Sequence, residues 1–256
     1  MNSGTIRKMV PKQLEDLICD FNYVANSMQI VDDMLIEIPL FYTKQLIKEF
    51  CIYPLGSQIV KSNSKPHISS ALFFGPPGTG KTHAALAVAY QTNSIFLDFS
   101  WQNLEKFKNG QELTRAIATA FRVAKFNQPA VVYFDNAEQV FPDKKKFKKG
   151  AVKNPLAQRL RRGLLAFKNL VSPDMRIMFI GCTNKGWHMN IKDMNAMFDR
   201  TFYFSLPSFS DRMKIWKNEI SNKIGRHYEL EYDILAQMSI NFSAECVLLI
   251  YKYTLD

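Results

Sequence analysis

Gly75-Pro76-Pro77-Gly78-Thr79-Gly80-Lys81-Thr82 follows a short apolar run, Ala71-Leu72-Phe73-Phe74, and precedes a helix-forming run, Ala84-Ala85-Leu86-Ala87-Val88-Ala89. The spacing G-x-x-x-x-G-K-[ST] between a strand and a helix is that of a phosphate-binding loop. Glycines let successive backbone N–H groups turn inward onto a phosphate, and the first turn of the following helix presents its positive end to the same charge. On this reading Gly75, Pro76, Pro77, Gly78, Thr79 and Gly80 cradle the phosphates and Lys81 reaches the β and γ positions. The Thr82 hydroxyl ligates Mg²⁺.

A nucleotide site of this kind needs a carboxylate at the end of a neighbouring buried strand, to hold the metal through its water shell. Val131-Val132-Tyr133-Phe134-Asp135 supplies one. The expected ligands are therefore ATP or ADP with Mg²⁺, held by the loop and by Asp135.

Outward from the loop, short apolar runs alternate with longer amphipathic ones. Ala71 to Phe74, Ile95 to Phe99, Ala130 to Phe134, Arg176 to Ile180 and Phe202 to Leu206 read as strands, with helices near Lys81 to Tyr90, Gly110 to Lys125 and Asn154 to Leu170. Such alternation predicts an α/β sandwich with a parallel five-stranded sheet and crossover helices. Before it, apolar residues at three and four spacing predict helices over Gln13 to Met28 and Ile38 to Phe50. Pro54, Gly56 and the polar run Lys61 to Pro66 then read as a loop. After Pro207 the pattern is helical again, over Asp211 to Ile224, Ile234 to Met238 and Ala244 to Tyr253. The chain divides on this basis into an N-terminal helical segment and linker (1–66), a nucleotide-binding domain (67–207) and a small helical lid (208–256).

Composition agrees with a globular, cytoplasmic protein. The chain has 256 residues, 47% apolar and 22% charged, and no run approaches the 18 or so apolar residues of a membrane span. Cys19, Cys51, Cys182 and Cys246 are scattered and read as reduced, mostly buried thiols. Lys plus Arg number 33 against 23 acids, yet ten of the bases lie between Lys144 and Lys168, where no acid occurs. The rest of the chain is neutral, so the excess marks one electrostatic docking region, densest over Lys144 to Lys153. These bases are mainly lysines without interleaved aromatics, which argues against a single-stranded nucleic acid as partner.

Residues 71 to 206 resemble the ATPase domain of the AAA family, a P-loop NTPase fold built as a three-layer sandwich. The resemblance rests on G-P-P-G-T-G-K-T at 75–82, F-D-N-A-E at 134–138, I-G-C-T-N at 180–184 and F-D-R at 198–200. Leu206-Pro207 and Asn241-Phe242-Ser243-Ala244 resemble the family's helical lid. Within the family, Tyr53-Pro54-Leu55-Gly56-Ser57, Asp98-Phe99-Ser100 and the lysine-rich insert look closest to the IQ-motif and AAA-domain proteins of the ciliary nexin-dynein regulatory complex, although these 256 residues contain no IQ motif. The resemblance implies a subunit of the cilium or flagellum axoneme, within the cytoskeleton. Its partners would be axonemal or microtubule-associated proteins, with tubulin's acidic tails docking on Lys144–Lys153.

Where the family has Asp-Glu, this chain has Asp135-Asn136. Asparagine orients a water but cannot take its proton, and losing a positioned base typically costs 10²- to 10⁴-fold. Glu138 is a candidate substitute by a local shift. Asn184 matches the family's polar sensor against the γ-phosphate, so Asn136 and Asn184 are the candidate catalytic residues, the first weakened. The family's two trans-acting arginines have no counterpart in Asp193 to Arg200, which carries Met194 and Met197. Phe107-Lys108-Asn109-Gly110 keeps only the aromatic residue of the family's pore loop. The expectation is an ATP-binding module with little or no hydrolysis and a structural or regulatory role. The alternative is an active ATPase that remodels a protein partner.

Overall fold

The computed structural model describes residues 6, 7, 9–21, 39–107, 110–143, 155–224 and 231–255. Five strands, β1 (Ser70–Phe74), β2 (Ile95–Asp98), β3 (Ala130–Phe134), β4 (Ile177–Thr183) and β5 (Arg200–Tyr203), form one sheet in the order β2-β3-β4-β1-β5. All four pairings are parallel, with Phe74 opposite Thr183 and Phe134 opposite Gly181. Parallel strands place all their carboxyl ends along one edge of the sheet, which is where open α/β sheets bind ligands. The strands β1, β3 and β4 are fully or almost fully buried, as expected where helices cover both faces.

One face packs on α4 (Lys81–Gln91) and α1 (Leu40–Ile47), around Phe73, Phe96, Ile180 and Phe204. The other packs on α6 (Gly110–Phe126), α8 (Pro155–Leu170) and α9 (Ile191–Met197), around Phe134, Phe141, Phe179 and Phe198. The three-layer sandwich is thus as the sequence predicts. The last strand differs in its bounds, starting at Arg200 and ending at Tyr203, while Phe204 still donates its amide to Phe74 O at 2.8 Å. Short helices α5 (Trp101–Leu104) and α7 (Ala137–Val140) follow the ends of β2 and β3.

The N-terminal prediction needs correction. In place of a helix from Gln13, a single 3₁₀ turn at Leu14–Asp16 gives way to chain without regular secondary structure up to Phe21; residues 22 to 28 lie outside the described residues. Tertiary burial overrides the helical spacing: Leu14 is fully enclosed in the core under α4, and Leu17 and Ile18 face opposite neighbours. The second N-terminal helix continues beyond Phe50 through a π-helical turn (Lys48–Ile52) into α2 (Tyr53–Gly56), followed by α3 (Gln58–Asn63). Pro54 and Gly56 are therefore helical. Pro54 lies where the π-helical turn hands over to α2, so its missing N–H falls at a break in the regular i→i−4 ladder.

C-terminal helices α10 (Phe209–Ile224), α11 (Tyr232–Met238) and α12 (Ala244–Leu255) enclose their own cluster of Ile215, Trp216, Ile220, Val247 and Tyr251. Arg212 is buried and donates to Ala236 O (2.9 Å) and Pro207 O (2.7 Å), tying the first turn of α10 to α11. Asp199 fastens the far end of the sheet. Its carboxylate accepts from the amides of Ser69 and Ser70 and pairs with Lys168 at 2.7 Å, joining β1, β5 and α8. Of the cysteines, Cys51 and Cys182 are buried, Cys19 is half-buried and Cys246 is exposed. Among the described residues no helix is long and apolar enough to cross a membrane.

Candidate functional site

The loop between β1 and α4 is shaped by residues that only glycine can be. Gly78 (φ 74°) and Gly80 (φ 90°) hold left-handed backbone, which costs any other L-residue roughly 1–2 kcal/mol. Their missing side chains also let two other segments approach. A Cβ on Gly78 would lie 2.4 Å from Ser243 Oγ, and one on Gly80 would lie 2.5 Å from Leu17 Cδ2. The lid is bonded to the loop directly, since the Glu245 amide donates to Gly78 O at 3.2 Å.

Lys81 begins α4, and its side chain is buried against the loop. The ammonium donates to Gly75 O (2.9 Å), to Pro76 O and to Thr79 Oγ1 (3.3 Å), which uses all three of its donors. Burial pushes its pKa below the usual lysine value, partly offset by Cys182, Asp135 and Glu138. Next to it, Thr82 Oγ1 accepts from the Tyr133 hydroxyl at 3.4 Å, and Tyr133 is itself stacked on Phe96.

Asp135 stands just beyond β3 and Asn184 just beyond β4. Because β4 lies between β3 and β1, the sheet order brings both to the loop, and all three line one cavity of about 560 Å³. Burial raises the Asp135 pKa above the usual carboxylate range; the Asn136 amide, bonded to its Oδ1 at 2.8 Å, acts against this, while nearby Glu138 adds to it. Asn136 sits at the start of α7 in left-handed backbone (φ 51°), and its side chain makes no capping bond. Asparagine often caps a helix through its side-chain oxygen, but here the oxygen of Asn136 bonds none of the first amides of α7. Glu138 does not come forward to replace it. It is buried at 7% exposure, and Oε2 accepts from Thr183 Oγ1 at 2.5 Å.

The remaining walls were not legible as site residues. Asp16, Leu17 and Ile18 of the N-terminal strap close one side; Ile215, Ala244, Glu245 and Leu248 of the lid close another. The strap is fixed by Lys48–Glu15 at 2.7 Å, by His83 Nε2 against Gln13 O at 2.9 Å, and by Lys214–Asp20 at 2.6 Å. His83, one residue past Thr82, was the available signal: a polar ring on an otherwise apolar helix face needs a partner. Met197 is fully buried in the core and Met194 packs against it, whereas Asn195 and Ala196 on the same helix are exposed. Phe107 packs against the main core cluster, and Lys108, Asn109 and the insert from Lys144 to Lys153 lie outside the described residues.

A model of the ATPase family associated with various cellular activities matches residues 71–206, more than half of the chain. The chain belongs to the AAA family. Among curated AAA relatives it is 26% identical over 235 residues to mouse dynein regulatory complex protein 11, covering 88% of this chain and 26% of that protein. Zebrafish spastin is 28% identical over 204 residues, covering 78% of this chain and 34% of spastin. The chain therefore spans no more than about a third of either relative. The solved AAA domain of FIGL-1 in complex with ADP shares the fold at TM-score 0.64 and 20% identity, covering 86% of this chain and 74% of the other.

Proposed function

We propose that this AAA chain binds ATP or ADP with Mg²⁺ between the loop, the strap and the lid, and uses the nucleotide to hold those parts together rather than to drive turnover. One observation carries the reading: three strand ends deliver the glycine loop with Lys81, Asp135 and Asn184 to a single cavity. Gly75 to Lys81 would hold the phosphates, Thr82 and Asp135 the metal, the latter through water. Leu17, Ile18, Ile215 and Leu248 offer apolar surface for the base. Asp16, Asp135, Glu219 and Glu245 also line the cavity, against Lys81 and His83 as the basic groups. That acidic balance favours a nucleotide that arrives as its Mg²⁺ complex.

Hydrolysis is expected to be slow or absent. Asn136 cannot accept a proton, Glu138 is bonded away from the cavity, and Met197 points into the chain's own core. Asn184 remains placed to orient a water. Similarity to dynein regulatory complex protein 11 supports a structural or regulatory subunit in a ciliary axoneme assembly, divided as residues 1–66, 67–207 and 208–256. Its partners in that setting are axonemal or microtubule-associated proteins, with Lys144–Lys153 facing acidic surfaces such as tubulin tails. Similarity to spastin keeps a second reading, an active remodelling ATPase, in view.

Calorimetry with ATP·Mg²⁺ on the purified chain tests the central claim. Lys81→Ala should abolish binding, because its ammonium is the main side-chain counter-charge at the loop. Unchanged affinity in that variant would remove the nucleotide reading.

A further inference from the structure

Away from the cavity just described, α6 and α8 together line a groove of about 840 Å³. Its origin is in the sequence of the two helices. Gly163 lets them touch, since a Cβ there would lie 2.7 Å from Ile117 Cδ1. Ala118 and Ala166, small and exposed, then leave the floor open to solvent. Phe121 is locked edge-on against Phe167 with centroids 4.4 Å apart and makes part of the wall. At the open end Phe126 is 83% and Leu170 62% exposed, large apolar side chains that nothing in this chain covers among the described residues.

The rim is of one sign. Arg122 and Lys125 from α6 and Arg159 and Arg162 from α8 line the groove, and no carboxylate does. The other two described bases of α8 are occupied in structural pairs, Arg161 with Asp193 and Lys168 with Asp199. Among the described residues, the four rim bases have no such partner. Four cations held around apolar surface repel one another and are compensated when an acidic ligand approaches.

We propose that this groove is a docking surface for an acidic amphipathic helix of a partner protein. Thr114 to Phe126 covers about 18 Å along α6, the length of roughly three turns of a second helix. Two or three apolar side chains at i, i+3 or i+4 and i+7 would lie over Ala118 and Ala166, between Phe121, Phe126 and Leu170. Glu and Asp on the flanks of that stripe would meet the four bases. A nucleic acid fits less well, because the floor presents apolar carbon where base edges need donors and acceptors. The inference does not depend on nucleotide binding.

A phage-displayed library of helix-forming peptides, randomised on one face and selected on the intact chain, provides the test. Enriched sequences should carry an apolar stripe flanked by acids, and their binding should weaken at least tenfold from low to physiological salt. It should also fall at least tenfold in Ala118→Trp, which fills the floor, and in Arg122→Glu/Arg162→Glu, which inverts the rim. Both changes are on the surface, and unaltered ATP·Mg²⁺ affinity and melting temperature would confirm that each variant is folded. A charge-reversed version of the best peptide, with Lys for Glu, should fail on the unmodified chain, a control that needs no variant. Several results would overturn the proposal: no enrichment, enriched peptides without acidic bias, or indifference to the groove substitutions. So would competition by a 20-mer of oligouridylate that is itself lost in Ala118→Trp, or self-association of the chain abolished by that substitution.

Discussion

Thr183, the last residue of β4, donates its hydroxyl to Glu138 Oε2 at 2.5 Å. That bond ties the acid two positions beyond Asn136 to the sheet. On the function proposed above, it keeps a carboxylate close in sequence from taking the place of a catalytic base. ATP turnover by the unmodified chain should therefore lie near background, and Glu138→Gln, which can still accept from Thr183, should leave it there. Asn136→Glu should raise turnover where subunits assemble, at a cost of about 1–2 kcal/mol because a non-glycine side chain without asparagine's tolerance enters left-handed backbone. Steady-state phosphate release and thermal melting measure both. Robust turnover that Glu138→Gln destroys would make Glu138 the base after all.

Restoring trans-acting arginines is constrained by packing. Met197→Arg would put an unpaired cation into the apolar core, at 0% exposure, and should destabilise the chain by about 3–5 kcal/mol. Ala196→Arg, one residue earlier and exposed, should change stability by about 0.5 kcal/mol or less. Chemical denaturation of the two variants distinguishes them. Equal stabilities would mean that Met197 is not enclosed as described.

Affinity for ATP·Mg²⁺ should be bell-shaped in pH and narrower than ordinary side chains would give. Burial first, with Glu138 adding to it, raises the Asp135 pKa, and a metal needs this group ionised, so affinity falls on acidification while pH is still above the usual carboxylate range. Burial lowers the Lys81 pKa, and a phosphate needs this group protonated, so affinity falls on the alkaline side before the usual lysine value. Removing Mg²⁺ with EDTA should weaken binding at every pH. Titrations by calorimetry that stay flat to the ordinary carboxylate value would contradict the acid limb.

Asp199 should contribute to acid stability. Burial alone would raise its pKa, but Lys168 and the Ser69 and Ser70 groups outweigh that and hold it below the usual value. A depressed carboxylate stabilises the fold above its unfolded pKa of about 3.9 and loses that contribution as pH falls through the folded value. Asp199→Asn should cost about 1–2 kcal/mol at pH 7, reduced from a buried pair's worth by solvent screening, and the difference from the unmodified chain should shrink towards pH 3. Denaturant midpoints across pH check the sign. A cost that grows on acidification would refute it.

The parts that were legible in the sequence are those where one local pattern decides. A strand, a glycine loop and a helix in succession fixed Gly75 to Thr82, and apolar runs of four or five residues fixed the sheet to within a few residues. Asp135 and Asn184 could be placed because the ends of parallel strands share an edge. What was not legible came from contacts between segments far apart in the chain. Leu17 has helical spacing to its neighbours, yet it packs on Gly80, 63 positions away, and nothing local to either residue shows it. The left-handed backbone of Asn136 is likewise set by the turn after β3 and by nothing in the residue pattern around it. The charge excess read as one docking region, while four of its ten bases, those on α8, divide between structural ion pairs and the rim of a groove.

The strap has a consequence for any shortened form of this protein. Its Leu14 is sealed in the core, its Leu17 covers Gly80, and its Asp20 is held by Lys214 of α10. Any form that lacked residues 9–21 would leave the signature loop intact, and a search by motif would still find it. Such a form would nonetheless lack one wall of its cavity and a direct tie between the sheet and the lid. Whether a given fragment retains residues 9–21 would then bear on its competence alongside the presence of the loop itself.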